Sequence, residues 1–159
     1  MSTTQLSFTP LRLTIAAPVI GPETVRAILQ CGEEDVYELC QDGTIEWAWD
    51  LRTPGADHVF LRALAQSVDA AKRKLAGEKI PLSLETDAEI LHAILNHDRD
   101  IIRGTEIARR FNFGADHCNR LIRAGALLTI KPASEYDVNE SPVVTRESLA
   151  AFLTARRIA

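Results

Sequence analysis

Side chains able to do chemistry fall into two groups in this chain, and only one of them has an informative spacing. Cys31, Cys40 and Cys118 show neither a CxxC pair nor a Cys/His ligand spacing, and an odd count does not close a disulfide framework. Reduced, buried thiols are the expected state. His92 and His97 lie five apart, on different faces of any helix, so they do not form a metal pair. There is no Gly-rich phosphate loop and no Ser/His/Asp or Cys/His constellation, so neither catalysis, a cofactor nor a metal site is expected. The second group is basic. Arg103, Thr105, Arg109 and Arg110 precede or lie on one short helical pattern, and His117, Asn119, Arg120 and Arg123 lie on the next. Lys131 and Arg146 follow. Arg103, Thr105, Arg109 and Arg110 suit phosphate oxygens, which position a protein on a duplex without reading its sequence.

The charge balance agrees only locally. The whole chain of 159 residues carries a net charge of −4, which argues against a uniformly nucleic-acid-binding surface. From Arg99 to Ala159, however, ten Arg/Lys oppose seven Asp/Glu, a net of +3, and the first 98 residues therefore carry −7. Contact with DNA is expected from the C-terminal part alone. With 46% hydrophobic and 25% charged residues the composition is that of an ordinary globular protein. No run of about 18 apolar residues and no basic-then-apolar leader occurs, so a cytoplasmic protein without a membrane span is expected.

The elements that must position the basic set begin with Leu11–Ile15, which alternates like a short strand. A helical pattern on Val25, Ile28 and Leu29 follows, then a helix starting near Gly32, opened by Glu33, Glu34 and Asp35 and stopped at Gly43. Thr44 to Leu51 alternates like a strand, and a longer helix is predicted with Phe60, Leu61, Leu64, Val68 and Ala71 on one face. Trp47 and Trp49 share a strand face suited to a core. The basic run Lys72 to Lys74 reads as a solvated helix end. Thr86 and Glu89 form a capping-box pair that opens a helix carrying Ile90, Leu91, Ile94 and Leu95, ending near Asn96.

Sliding the chain on itself by 82 positions lays the first helix pair on the second. Gly32 falls on Gly114, Leu39 on Leu121 and Gly43 on Gly125, and Val25, Leu29, Cys31, Val36, Cys40 and Ile45 fall on Ile107, Phe111, Phe113, Cys118, Ile122 and Leu127. The expected architecture is mainly α with small β wings, an α+β class, in two tandem units: residues 1–76, a linker at 77–85, and residues 86–159.

In the second unit, Ile107 and Ala108, the turn at Asn112, the plug Phe113, and the anchors Cys118 and Leu121 satisfy what a helix-turn-helix needs. The continuation Leu121-Ile-Arg-Ala-Gly-Ala-Leu127, a polar excursion, and Val143-Val-Thr-Arg-Glu-Ser-Leu-Ala-Ala-Phe-Leu153 resembles the excisionase/MerR-type winged helix-turn-helix over about residues 103–157. The resemblance implies that the second helix, which carries Arg120 and Arg123, enters the major groove with Asp116, His117 and Asn119 facing it and Asn119 able to bond an adenine edge, while the wing and flanking Arg/Lys meet the backbone, with Arg146 at the start of the last helix. Glu135, Asp137 and Glu140 make this wing acidic, with only Lys131 nearby, which predicts contact by helices alone or a wing that binds protein. The counterpart helix, Glu33 to Asp42, is acidic and is expected to repel DNA. Two functions remain open: a DNA-binding regulator or excisionase-like accessory factor, and a protein-interaction module on the same scaffold. Self-association or a protein partner is expected at the N-terminal half, since no long helix follows the last unit.

Overall fold

The structure, a computed structural model, describes residues 18–79, 86–137 and 139–158; Leu11–Ile15 and most of the expected linker lie outside them. It shows a small α+β protein. The first half runs β1 (Val19–Ile20), α1 (Pro22–Leu29), α2 (Glu33–Gln41), β2 (Ala48–Asp50), β3 (Leu61–Leu64) and α3 (Ala65–Leu75). The second runs α4 (Asp87–Leu95), β4 (Ile101–Arg103), α5 (Gly104–Arg110), α6 (Ala115–Arg123), β5 (Val143–Thr145) and α7 (Arg146–Arg156), with one 3₁₀ turn at Ala133–Glu135. Among the described residues no helix is long and apolar enough to cross a membrane.

Local chemistry sets most boundaries. Pro22 opens α1, where its missing N–H costs nothing and its fixed φ suits the first turn. Asp35 accepts a 3.0 Å bond from the Gly32 amide at the start of α2. Thr86 and Glu89 cap α4 reciprocally at 3.0 and 3.2 Å, as the sequence predicts. Thr145 caps α7 by accepting from the Ser148 amide at 3.1 Å.

One predicted helix is corrected. Phe60, Leu61 and Leu64 do not belong to it; Leu61–Leu64 is the central strand of a sheet ordered β1-β3-β2, and the helix begins at Ala65. Both neighbours pair antiparallel with β3, matching Val19 to Leu64 and Ala48 to Ala63. Both faces of that sheet are buried. Ile20, Ala48, Leu61 and Ala63 pack onto Val25, Val36, Cys40, Ile45, Val68 and Ala71 of their own half. Val19, Trp47, Trp49, Leu51 and Leu64 instead join a core with Ile90, Ile94, Ile107, Phe111, Leu121, Leu127 and Leu153 of the other half. Trp47 and Trp49 are core residues, as expected, but of a core that the two halves share.

The second sheet pairs β4 with β5, Ile102 opposite Val144, and extends through a bridge between Thr129 and Val144. The two halves repeat one another hydrogen bond by hydrogen bond. Gln30 and Asn112, 82 apart, both turn with positive φ (52° and 55°), and so do Gly43 and Gly125 (81° and 76°). The Cys31 amide bonds the Arg26 carbonyl as Phe113 bonds Ala108, and Ile45 bonds Leu39 as Leu127 bonds Leu121. Beyond the hairpin the offset becomes 81: Ala48 opposite Ala63 matches Thr129 opposite Val144.

Candidate nucleic-acid interface

The helical hairpin α5–α6 is held by Ile107, Ala108, Phe111, Cys118 and Leu121, all buried. Asn112 makes the turn in the left-handed region, which Asn tolerates better than most residues. Gly104 opens α5 where an added Cβ would lie 3.4 Å from the Pro142 carbonyl and 3.5 Å from Cys118 Sγ, so α5, α6 and the end of the wing meet there.

The exposed arc of α6 carries Asp116, Arg120 and Arg123, with Asn119 half-buried between them. Among the described residues neither guanidinium has an ion-pair or hydrogen-bond partner. Arg123 and Asn119 line a groove with Thr105, Tyr136, Asp137, Asn139, Glu140 and Ser141. Arg103 and Arg109 line a second groove, with Arg99, Thr105, Glu106 and Val143. Glu106 there is held by His97 Nε2 at 2.6 Å. Thr105 belongs to both grooves and links them. Each groove thus sets its arginines beside carboxylates, Asp137 and Glu140 in the first and Glu106 in the second.

Four expected contacts are placed differently. His117 does not face a groove: its side chain is buried, Nε2 lies 2.6 Å from the Leu51 carbonyl, and its ring stacks on Phe60 at 4.1 Å. A carbonyl only accepts, so Nε2 carries the proton. Burial pushes the imidazole pKa down, and Arg120 and Arg62 add to that, against the opposing effect of the Leu51 bond. Arg146 is committed inward, donating to the His97 carbonyl at 2.8 Å and the Arg99 carbonyl at 3.4 Å, with Asp98 at 3.5 Å. Lys131 is neutralised by Glu140 at 2.8 Å and sits over the Tyr136 ring at 4.4 Å. The Glu140 carboxylate raises the pKa of Lys131, and Lys131 lowers that of Glu140. Arg110 is half-buried, with Nε enclosed and unpartnered among the described residues.

Two arginines were missed by reasoning on the sequence. Arg99 was hidden between Asp98 and Asp100 in what reads as a mixed-charge loop, yet it lines a groove with Arg103 and Arg109. Arg62, on β3, reaches the other half and binds the turn of the hairpin. Its signal was a lone cation inside the apolar run Phe60 to Leu64.

The first half presents the counterpart of α6 with opposite charge. On α2, Glu33, Glu34, Tyr37, Glu38 and Gln41 are exposed, and Glu38 and Gln41 stand where α6 has Arg120 and Arg123. Together these observations define an α+β protein with one helical hairpin that is basic on its outer side and one that is acidic. Comparison of the chain with protein-family models, curated proteins and solved structures gave no match.

Proposed function

We propose that this is a double-stranded-DNA-binding protein, a transcription regulator or excisionase-like accessory factor, built as two tandem winged helix-turn-helix units of which the second meets DNA. It acts by binding rather than catalysis and works in the cytoplasm. The observation that carries this reading is the outer face of α6, where Asn119, Arg120 and Arg123 lie on the outward helix of the hairpin and both guanidiniums are free of partners among the described residues. Asn119 and Arg123 supply base-edge chemistry, while Arg99, Arg103 and Arg109 beside them supply phosphate contacts that fix register. Because Lys131 is already paired, contact comes from helices and not from the wing.

A second reading has its own observation. The acidic α2, with Tyr37 exposed among Glu33, Glu34 and Glu38, suits a protein partner or self-association and not a phosphate backbone.

Fluorescence anisotropy of the full chain on mixed duplex fragments across a salt series tests the first reading. Affinity should fall with salt along a log–log slope of about −0.9 for each phosphate neutralised. Absence of binding at low salt would refute DNA binding and leave the protein-interaction reading.

A further inference from the structure

Among the described residues the first half presents an acidic α2 where the second presents α6, yet it grips the helix that would read DNA. Arg62 leaves β3 on the face turned toward the second half. Its Nε donates to the carbonyls of Phe111 at 3.2 Å and Asn112 at 3.0 Å, and its Nη2 to Asn112 at 2.8 Å. Nη1 donates at 2.7 Å to the carbonyl of Leu61, which anchors the guanidinium to its own strand, and the plane lies 4.2 Å from the Phe60 ring. These acceptors are not arbitrary. Phe111 caps the C-terminus of α5 and Asn112 is the left-handed turn residue, so their carbonyls belong to the end of a helix where acceptors lack intrahelical donors. A planar guanidinium with donors in a fixed fork is suited to bridging them, and a cation there is also favoured by the negative end of the helix dipole.

The surroundings are arranged to admit this side chain. Gly21 lies where an added Cβ would come within 3.3 Å of Arg62 Nη1. In the second half the equivalent pair is Arg103 and Val143, so the large and small partners have changed places. A second contact acts one turn further on: the Leu51 carbonyl and the Phe60 ring hold His117 in the first turn of α6, with Phe113 packed against both rings. The turn and the first helical turn after it are thus gripped from one side by β3 and its approach.

We propose that Arg62 is a positioning residue for α6, acting through the Phe111 and Asn112 carbonyls, and that the first half is a built-in brace for the DNA-reading hairpin. This rests on the DNA-binding reading above. A base-edge contact tolerates errors of only about 0.5 Å and 10–20°, so a hairpin free to rock on its turn reads bases poorly. The arginine acts by position and not by touching DNA: three of its five N–H groups, one on each nitrogen, are committed to carbonyls of the protein.

The test uses the full chain with Arg62→Met and Arg62→Lys, each checked to be folded at the assay temperature. Two readouts are taken: amide hydrogen exchange at Phe113, His117 and Cys118 against α4 and α7, and the DNA salt series. Removing charge-assisted bonds of this kind should speed exchange at the hairpin by about tenfold or more and weaken DNA binding comparably, with the salt slope unchanged. Arg62→Lys, which keeps the charge but not the fork, should recover part of both. Unchanged exchange at the hairpin in Arg62→Met would overturn the brace. A salt slope shallower by about 0.9 would overturn it differently, by making Arg62 a phosphate contact. Faster hairpin exchange in a protein whose wild type binds no DNA would uphold the grip on the hairpin and reject the DNA-binding reading alone.

Discussion

Replacing His117 separates its hydrogen bond from its packing. His117→Phe keeps an aromatic ring against Phe60 but leaves the Leu51 carbonyl without its donor; His117→Ala loses both. An unsatisfied buried acceptor costs about 1–3 kcal/mol, and an aromatic pair contributes about 0.5–1.5 kcal/mol beyond its buried area. His117→Phe should therefore lose about 1–3 kcal/mol at pH 8, and His117→Ala about 2–4 kcal/mol. The pH dependence has a fixed sign. Because the folded imidazole has a pKa below its ordinary value, the unfolded chain takes up a proton first as pH falls past about 6.5. The stability associated with neutral His117 is thus complete above about pH 6.5 and declines as pH drops from there toward the folded pKa, by at most about 1.4 kcal/mol per pH unit. Urea unfolding followed through the buried Trp47 and Trp49 at pH 8 and pH 5.5 measures both effects. A His117→Phe protein as stable as wild type at pH 8, or as sensitive to acid between the two pH values, would refute the buried, neutral, donating imidazole.

The remaining predictions concern thiols and the wing. Burial pushes the Cys40 thiol up to about 12, with help from Asp42, and the Cys118 thiol up to about 11. A thiol reagent at pH 8 should therefore modify half-buried Cys31 first and leave the other two intact until unfolding; native modification of Cys118 at the rate of Cys31 would mean that the α5–α6 contact opens readily. Glu140→Gln should free Lys131, tightening DNA binding and steepening the salt slope by about 0.9 if the wing lies near phosphate. An unchanged slope would place the wing away from the duplex.

Much of this architecture was legible because it is local. The capping box at Thr86 and Glu89 and the turn at Asn112 each involve residues near one another in the chain and are found where expected, and the repeat 82 apart was legible because each copy carries its own local pattern, with positive φ at Gly43 and Gly125. What failed was non-local. β3 was read as helix because Phe60, Leu61 and Leu64 match a 3.6-residue period, and the alternation that marks a strand vanishes when both faces are buried. Its second face is buried only because the other half covers it. His117 and Arg146 fail for the same reason. On their own helices they belong to outward positions, but their partners Leu51 and His97 lie 66 and 49 residues away. A pattern read within one hairpin contains no trace of such a neighbour.

The same comparison shows how the two halves differ at matching positions. At equivalent positions the first half has Glu38, Gln41, Gly21 and Arg62 where the second has Arg120, Arg123, Arg103 and Val143. The first two differences leave the outer face of α2 without the arginines that α6 carries; in the other two, the cation is Arg103, lining a groove, in the second half and Arg62, bonded to the other half, in the first. Arg62 of the first half thus turns inward to the other half, while Arg103, Arg120 and Arg123 of the second are exposed. The core containing Trp49, Leu64, Ile94 and Leu121 ties the two halves together, because moving one half against the other would expose apolar surface from both.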